Sequence, residues 1–344
     1  LVAGAGSLAL AGYLGTSVEH YSYTACRITY VGVAFCMLVG LITALVIPEP
    51  DLGNRVKPKD YSTTDYARFF ALFLCAASVF VLVFFYGGTI GNSLKSVLKE
   101  SLGQFGRIAG FLVETLRWFI SRGVALVAAR GLVALGLVNR EMLNDTYIDP
   151  VKDFFTRYGV KIAVLLLLLI GFYRVSDIVL GVISTVFYLD LGFSKTQIAG
   201  IVKTFGLLMT IAGGFLGGML TVRYGVLKIL FLGGVLAAAT NVLFMILAGA
   251  GPNLLMLKAV VAADNLAAGL ASAAFVAFLS SLTSISFTAV QYAVFSSLMS
   301  LFPKLIGGYS GTIATSIGYS NFFMLTALMG IPVLLLIWLV RDLK

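Results

Sequence analysis

Eight stretches of this sequence, 28–47, 68–86, 161–189, 197–221, 226–249, 255–282, 288–314 and 321–340, are almost wholly apolar. Each has about the 20 residues that a helix needs to cross the hydrocarbon core of a bilayer. Hydrocarbon offers the backbone no hydrogen-bond partner, so only helices and closed β-barrels cross it. A barrel would show strands of about ten residues with alternating polarity, and this chain does not. Of 344 residues, 60% are hydrophobic and 11% charged, against roughly a quarter charged in ordinary soluble domains. The fold class expected is therefore an all-α polytopic membrane protein in a lipid bilayer.

The net charge of +9 has its basic residues clustered between spans, where membrane topology explains them and a nucleic-acid partner is not needed. Cys26, Cys36 and Cys75 have no framework spacing, and His20 is the single histidine. No transition-metal site and no cofactor is expected. A phosphate loop of the GxxxxGK[ST] type is absent, which argues against an ATP-driven pump on this chain. The chain begins on Leu1 without the pattern of a signal peptide. Residues 1–15 read as half of a small-residue helix, so the sequence is expected to be cut at its N-terminus.

Three zones follow. Residues 1–50 hold the small-residue helix, a short loop around Glu19 and His20, and a span that Pro48-Glu49-Pro50 ends, since proline cannot continue a helix. Residues 51–160 form a linker or insert. Lys57, Lys59, Asp60 and Asp65 mark its solvated part, and 69–86 is long enough to span. The stretch 101–140 is interrupted by Arg107, Glu114, Arg117, Arg122 and Arg130, the pattern of an interfacial helix or of a second span with snorkelling arginines. Residues 161–344 hold six spans. Asp153, Arg157 and Lys161 precede the first, Arg223 and Lys228 lie between the second and third, and Arg341 and Lys344 follow the last, whereas the opposite loops carry little beyond Lys195. The basic side should be cytoplasmic. A six-span unit with cytoplasmic ends is the half-module of the major facilitator architecture.

Charges inside the spans are the candidate functional residues. Asp177 lies deep in 161–189, with Arg174 three residues before it and on the same helical face. At about 1.5 Å per residue, Lys203 lies roughly 9 Å, Asp264 roughly 13 Å and Asp177 roughly 18 Å from the outer side. A Lys203–Asp264 or Lys203–Asp177 pair is within reach, and such charges mark pathways unless they merely lock helices together. Asn265 and Gln291 add polar groups able to bind a ligand or a neighbouring helix. Pro303-Lys304 followed by Gly307-Gly308 marks either a broken helix at a cavity or a bend with an outward lysine. Gly213 and Gly217, and Gly214 and Gly218, have the four-residue spacing that lets helices approach closely.

Several segments occur in a telling order: Tyr173-Arg174-Val175-Ser176-Asp177, Val202-Lys203-Thr204-Phe205-Gly206-Leu207, Ala263-Asp264-Asn265-Leu266 with Ala273-Ala274-Phe275-Val276-Ala277, and Thr288-Ala289-Val290-Gln291-Tyr292-Ala293. Together they resemble the C-terminal half of AmpG-like muropeptide permeases, in the peptide/acetyl-coenzyme A transporter branch of the major facilitator superfamily. The span ending Ile47-Pro48-Glu49-Pro50 resembles the sixth helix of that family. Residues 218–228 (GMLTVRYGVLK) resemble the superfamily's cytoplasmic loop motif, with Val222 at the usual acidic position.

The resemblance implies a multi-pass transporter of the bacterial inner membrane, not an enzyme. It would import N-acetylglucosaminyl-anhydromuramyl peptides with protons, for cell-wall recycling. Tyr173, Arg174, Asp177, Lys203, Asp264, Asn265 and Gln291 would form its substrate and coupling site, Tyr173 by stacking on sugar rings. The zones would then be a remnant of the N-terminal half (1–50), a central insert (51–160) and a C-terminal six-helix bundle (161–344). Within the same superfamily, acetyl-coenzyme A or another organic anion is the alternative substrate. A membrane-embedded transferase is the alternative from another class, and one histidine with few loop carboxylates gives it little support.

Overall fold

A computed structural model describes residues 13–14, 22–48, 61–102 and 106–342 of the chain. Most of the small-residue segment 1–15, the Glu19–His20 loop, Glu49 and Pro50, the charges Lys57, Lys59 and Asp60, and Lys344 lie outside the described residues, as do the side chains of Arg107 and Lys195. Helix α1 spans Tyr23–Val46; the Ser22 side chain accepts from the Ala25 amide at its start, and the chain turns extended at Ile47, as it must before proline. Then come α2 (Thr63–Leu102) and α3 (Gly106–Ala134). A short α4 (Arg140–Leu143) and a π-helical turn (Asn144–Ile148) lead into α5 (Asp149–Phe172), and α6 spans Val175–Asp190.

The remaining spans follow with short connections. A short α7 (Lys195–Ile198) and a π-helical segment (Ala199–Phe205) precede α8 (Gly206–Tyr224). Helices α9 (Val226–Ala250) and α10 (Leu254–Leu282) are unbroken. The last two spans are each in two pieces: α11 (Thr288–Gly307) with α12 (Ser310–Ile317), and α13 (Tyr319–Leu328) with α14 (Gly330–Asp342). Among the described residues, eight helical runs are long and apolar enough to cross a membrane. The chain is an all-α polytopic membrane protein.

The structure corrects one detail of the sequence reading and chooses among alternatives in others. The span read as 161–189 is broken at Tyr173 and Arg174, where the Arg174 backbone (φ −100°, ψ 9°) leaves the helical region. Its lead-in begins at Asp149 and bends at Gly159 (φ 70°, ψ 159°), a conformation essentially reserved for glycine. The helix α11 runs through Pro303 and stops at Gly307, so the break comes at Gly308 and Tyr309 and Lys304 points outward. The stretch 101–140 is a helix that returns along α2. Lys95 of α2 pairs with Glu114 of α3, Glu114 also takes Arg117 at 3.1 Å, and the Arg117 guanidinium sits 4.0 Å above the Phe84 ring. Its charges are largely absorbed within the hairpin, although α3 is not among the runs apolar enough to span.

The ends of the six-span region sort by charge. Lys228 and Arg341 line one small pocket, and Arg157 of α5 donates to the Leu282 carbonyl at the end of α10. At the other end Tyr319 donates to Asp190. The basic loops therefore share one end, the end that the positive-inside rule assigns to the cytoplasm.

The tightest seam joins α8 to α10. A Cβ on Gly213 would lie 2.1 Å from the Leu266 carbonyl oxygen, one on Gly217 2.6 Å from that of Leu270, and one on Gly269 2.1 Å from that of Thr210. Gly214 and Gly218, in the same repeat, meet nothing within 4 Å. Without a hydrophobic force between helices in lipid, such backbone approach is the main source of association. Gly213→Ala is therefore expected to lower stability by about 1–3 kcal/mol, as overpacking does. Gly218→Ala should leave it unchanged or raise it by up to about 1 kcal/mol through helix propensity. Paired thermal melts in detergent measure the contrast, and equal melting of the two variants would contradict this seam.

Candidate functional site

The buried core divides into two apolar clusters. One gathers Leu166, Ile170, Tyr173, Leu230, Phe275, Phe278 and Ile337 towards the basic end. The other gathers Val175, Val179, Phe187, Phe244, Leu257 and Phe323 towards the opposite end. The two meet at the α5–α6 break, and polar groups concentrate there. Helix α5 ends at Phe172 because Arg174 turns out of the helical path, which sets Asp177 in the first turn of α6.

The Arg174 guanidinium donates to the Ser272 hydroxyl of α10 at 2.9 Å and lies 3.8 Å from the Asp177 carboxylate. Asp264, also on α10 and two turns before Ser272, accepts from the Thr240 hydroxyl of α9 at 3.2 Å. The Asp177 and Asp264 carboxylates lie within electrostatic range of each other. Beside Thr240, the buried Asn241 side chain donates to Ser176 at 2.6 Å, and Ser176 donates to the Thr326 carbonyl of α13 at 2.7 Å. A polar layer thus crosses α6, α9, α10 and α13 between two dry halves. Buried polar groups persist when they are paired, and each of these has a partner. Arg174 and Asp177 keep about a quarter and a fifth of their side-chain surface exposed, so this layer is also reachable.

The other sequence candidates fall elsewhere. Tyr173 is buried, stacked on Phe275 with ring centroids 4.6 Å apart, and donates to the Leu230 carbonyl at 3.0 Å; in this conformation both its face and its hydroxyl are used by the core. Asn265 turns to α8, where it accepts from Thr210 at 3.0 Å, and donates to the Val261 carbonyl. It braces the glycine seam, not the Arg174 cluster. Lys203 is exposed on the π-helical segment and makes no ion pair with Asp177 or Asp264. The extra residue of a π-turn rotates a side chain off its helical face, which sequence spacing alone does not reveal.

Gln291 is the clearest displacement. Its amide donates to the Pro150 carbonyl and to Asp153, while its oxygen accepts from Arg157 and from the Ser284 amide. It is buried and saturated, in a latch that ties the start of α5 to the α10–α11 connection. Roughly 25 Å of helix separates that latch from Arg174. Thr240, Asn241 and Ser272 were missed in the sequence. Single hydroxyls and amides in apolar helices are common, and only tertiary packing brings Thr240 and Ser272 to the charged groups and Asn241 to Ser176 beside them.

No family model matches the chain. It is 34% identical over 192 residues to a protein named AmpG 4 in Rickettsia conorii, an alignment covering 56% of this chain and 46% of the relative. The Rickettsia felis protein of the same name is 33% identical over 227 residues, 62% of this chain and 54% of its own. The anhydromuropeptide permease of Escherichia coli is 32% identical over 201 residues, 58% of this chain and 40% of its own. The chain spans about half the length of the curated relatives it matches. Across rather more than half of its own length, this polytopic membrane chain is similar in sequence to proteins named AmpG and to one named anhydromuropeptide permease.

Proposed function

We propose that this chain forms part of a secondary transporter that imports anhydromuropeptides across the bacterial inner membrane, driven by protons. The observation that carries the reading is the Arg174–Asp177–Ser272 cluster with Asp264 beside it, in a chain similar to a protein named anhydromuropeptide permease. Intramembrane charges that face protein or water mark transport pathways. Residues 161–344 act as the C-terminal six-helix bundle of a major facilitator-type carrier, with 1–50 as part of the other half. Alternating access then exposes a site near the midplane to each side in turn.

The chemistry distributes over named groups. A guanidinium binds a carboxylate with two parallel hydrogen bonds, so Arg174 takes a peptide carboxylate of the substrate or returns to Asp177. A proton moving on and off Asp177 or Asp264 switches that choice, which couples substrate to protons. Thr240 and Ser272 hold Asp264 and Arg174 in place. Lys203, exposed and without an ion pair among the described residues, attracts the anionic substrate on entry. Transport needs no bond-making by the protein, and no enzymatic step is assigned.

Uptake of labelled anhydromuropeptide, in cells that lack a permease of their own and carry the full-length gene, tests this. Asp177→Asn, Asp264→Asn and Arg174→Gln should each lower uptake about tenfold or more, the cost of one charge-assisted contact. A protonophore should abolish it. Wild-type uptake in all three variants would overturn the site. Gln291→Ala, by contrast, should leave the apparent substrate affinity unchanged and lower thermal stability by about 1–3 kcal/mol, because Arg157 and Asp153 lose a buried partner. A melt and a concentration series separate the two effects.

A further inference from the structure

The α2–α3 hairpin holds a cavity that the transport reading does not use. It measures about 500 Å³ and is walled by Phe69, Leu72, Phe73, Leu126, Val133 and Leu143, within the size range of small-molecule sites. Two arginines, Arg130 of α3 and Arg140 of α4, complete its lining, together with Tyr147. Both arginines are exposed, and neither is paired with a carboxylate among the described residues. The other hairpin charges behave differently: Lys95, Glu114 and Arg117 satisfy one another.

Depth and side are also fixed by contacts. Tyr61, just ahead of α2, donates to Asp145, and Phe69 stacks on Tyr147 at 5.6 Å. The cavity therefore lies beside the start of α5, the end that carries the basic loops. Arg130 is about one turn from the end of α3 and Arg140 opens α4, so both guanidiniums belong to helix ends beside the first turns of the apolar α2. An apolar chamber with two unpaired cations at its edge is complementary to an amphiphile with an anionic head.

We propose that this cavity is a binding site for an anionic phospholipid of the cytoplasmic leaflet. Its acyl chains fill the space between Phe69, Phe73 and Leu126, and its phosphate is held by Arg130 and Arg140. Basic pockets between membrane helices on that side suit such head groups, each cation contributing on the order of 1 kcal/mol. The site is independent of the transport pathway, so its failure leaves the transport reading intact.

The test uses the full chain purified in mild detergent. Native mass spectrometry reads lipid retained after exchange into phosphatidylglycerol or phosphatidylcholine, and a thermal melt is run in each. The wild-type chain should retain phosphatidylglycerol in preference and melt higher with it. Arg130→Gln with Arg140→Gln should weaken that retention roughly tenfold to thirtyfold with an unchanged melt in phosphatidylcholine. Arg68→Gln, a nearby exposed arginine outside the cavity, should leave retention as it was. Ala129→Trp keeps both charges and fills the chamber, and it should also abolish retention; it decides the matter if the double variant fails to fold. Equal retention of the two lipids, retention that survives Ala129→Trp, or a cavity shown by cross-linking to hold a protein segment would overturn the proposal.

Discussion

A polar group in a dry, lipid-bounded interior has to find its partner within the protein, and the polar layer at the α5–α6 break is where this chain meets that demand. Arg174, Asp177, Ser272, Thr240, Asp264, Asn241, Ser176 and Thr326 come from four helices, and each has a partner among the others or the backbone. Removing the Ser176 hydroxyl, for example, leaves the buried Asn241 amide without its acceptor, and a buried missing hydrogen bond costs a few kcal/mol. The layer therefore fixes the relative placement of α6, α9, α10 and α13 more sharply than the apolar clusters on either side can. Apolar packing tolerates exchange of similar shapes, whereas a hydrogen bond demands a particular atom at a particular distance.

The rest of the bundle is arranged so that this layer can form. The glycine seam draws α8 onto α10 until their backbones touch, and Asn265 reinforces it through Thr210. That leaves the adjacent face of α10, with Asp264 and Ser272, free to meet α9 and α6. At the basic end the Gln291–Asp153–Arg157 latch closes the α5 lead-in against the α10–α11 connection. At the other end Tyr319 ties α13 to the end of α6 through Asp190. A pathway that opens alternately to the two sides would have to break one of these ties at a time. The charged centre lies between them.

The hairpin solves the same problem by other means. Its α3 carries more charge than a free-standing span tolerates, and the charges are absorbed by pairing across to α2 and by ring stacking. Among the described side chains Arg130, and Arg140 at the start of α4, are the exceptions, and they lie at helix ends. An unpaired cation at a helix end is inexpensive, because a long side chain reaches water or a head group.

Much was legible without coordinates. The length and apolarity of the windows determined helices and how many are long enough to cross a bilayer, because backbone hydrogen bonding in hydrocarbon leaves no other choice. The basic loops determined which ends lie together. The i, i+3 spacing brought Arg174 to Asp177, and the small-residue spacing flagged the Gly213–Gly217 seam. What the sequence could not contain was rotation about each helix axis beyond the first turn. A π-turn moved Lys203 off the expected face, the break after Phe172 put Asp177 at a helix start, and tertiary packing sent Gln291 and Asn265 to structural posts while recruiting Thr240, Asn241 and Ser272. Those choices depend on which neighbour each face meets, and helices distant in sequence make that decision only once they have packed.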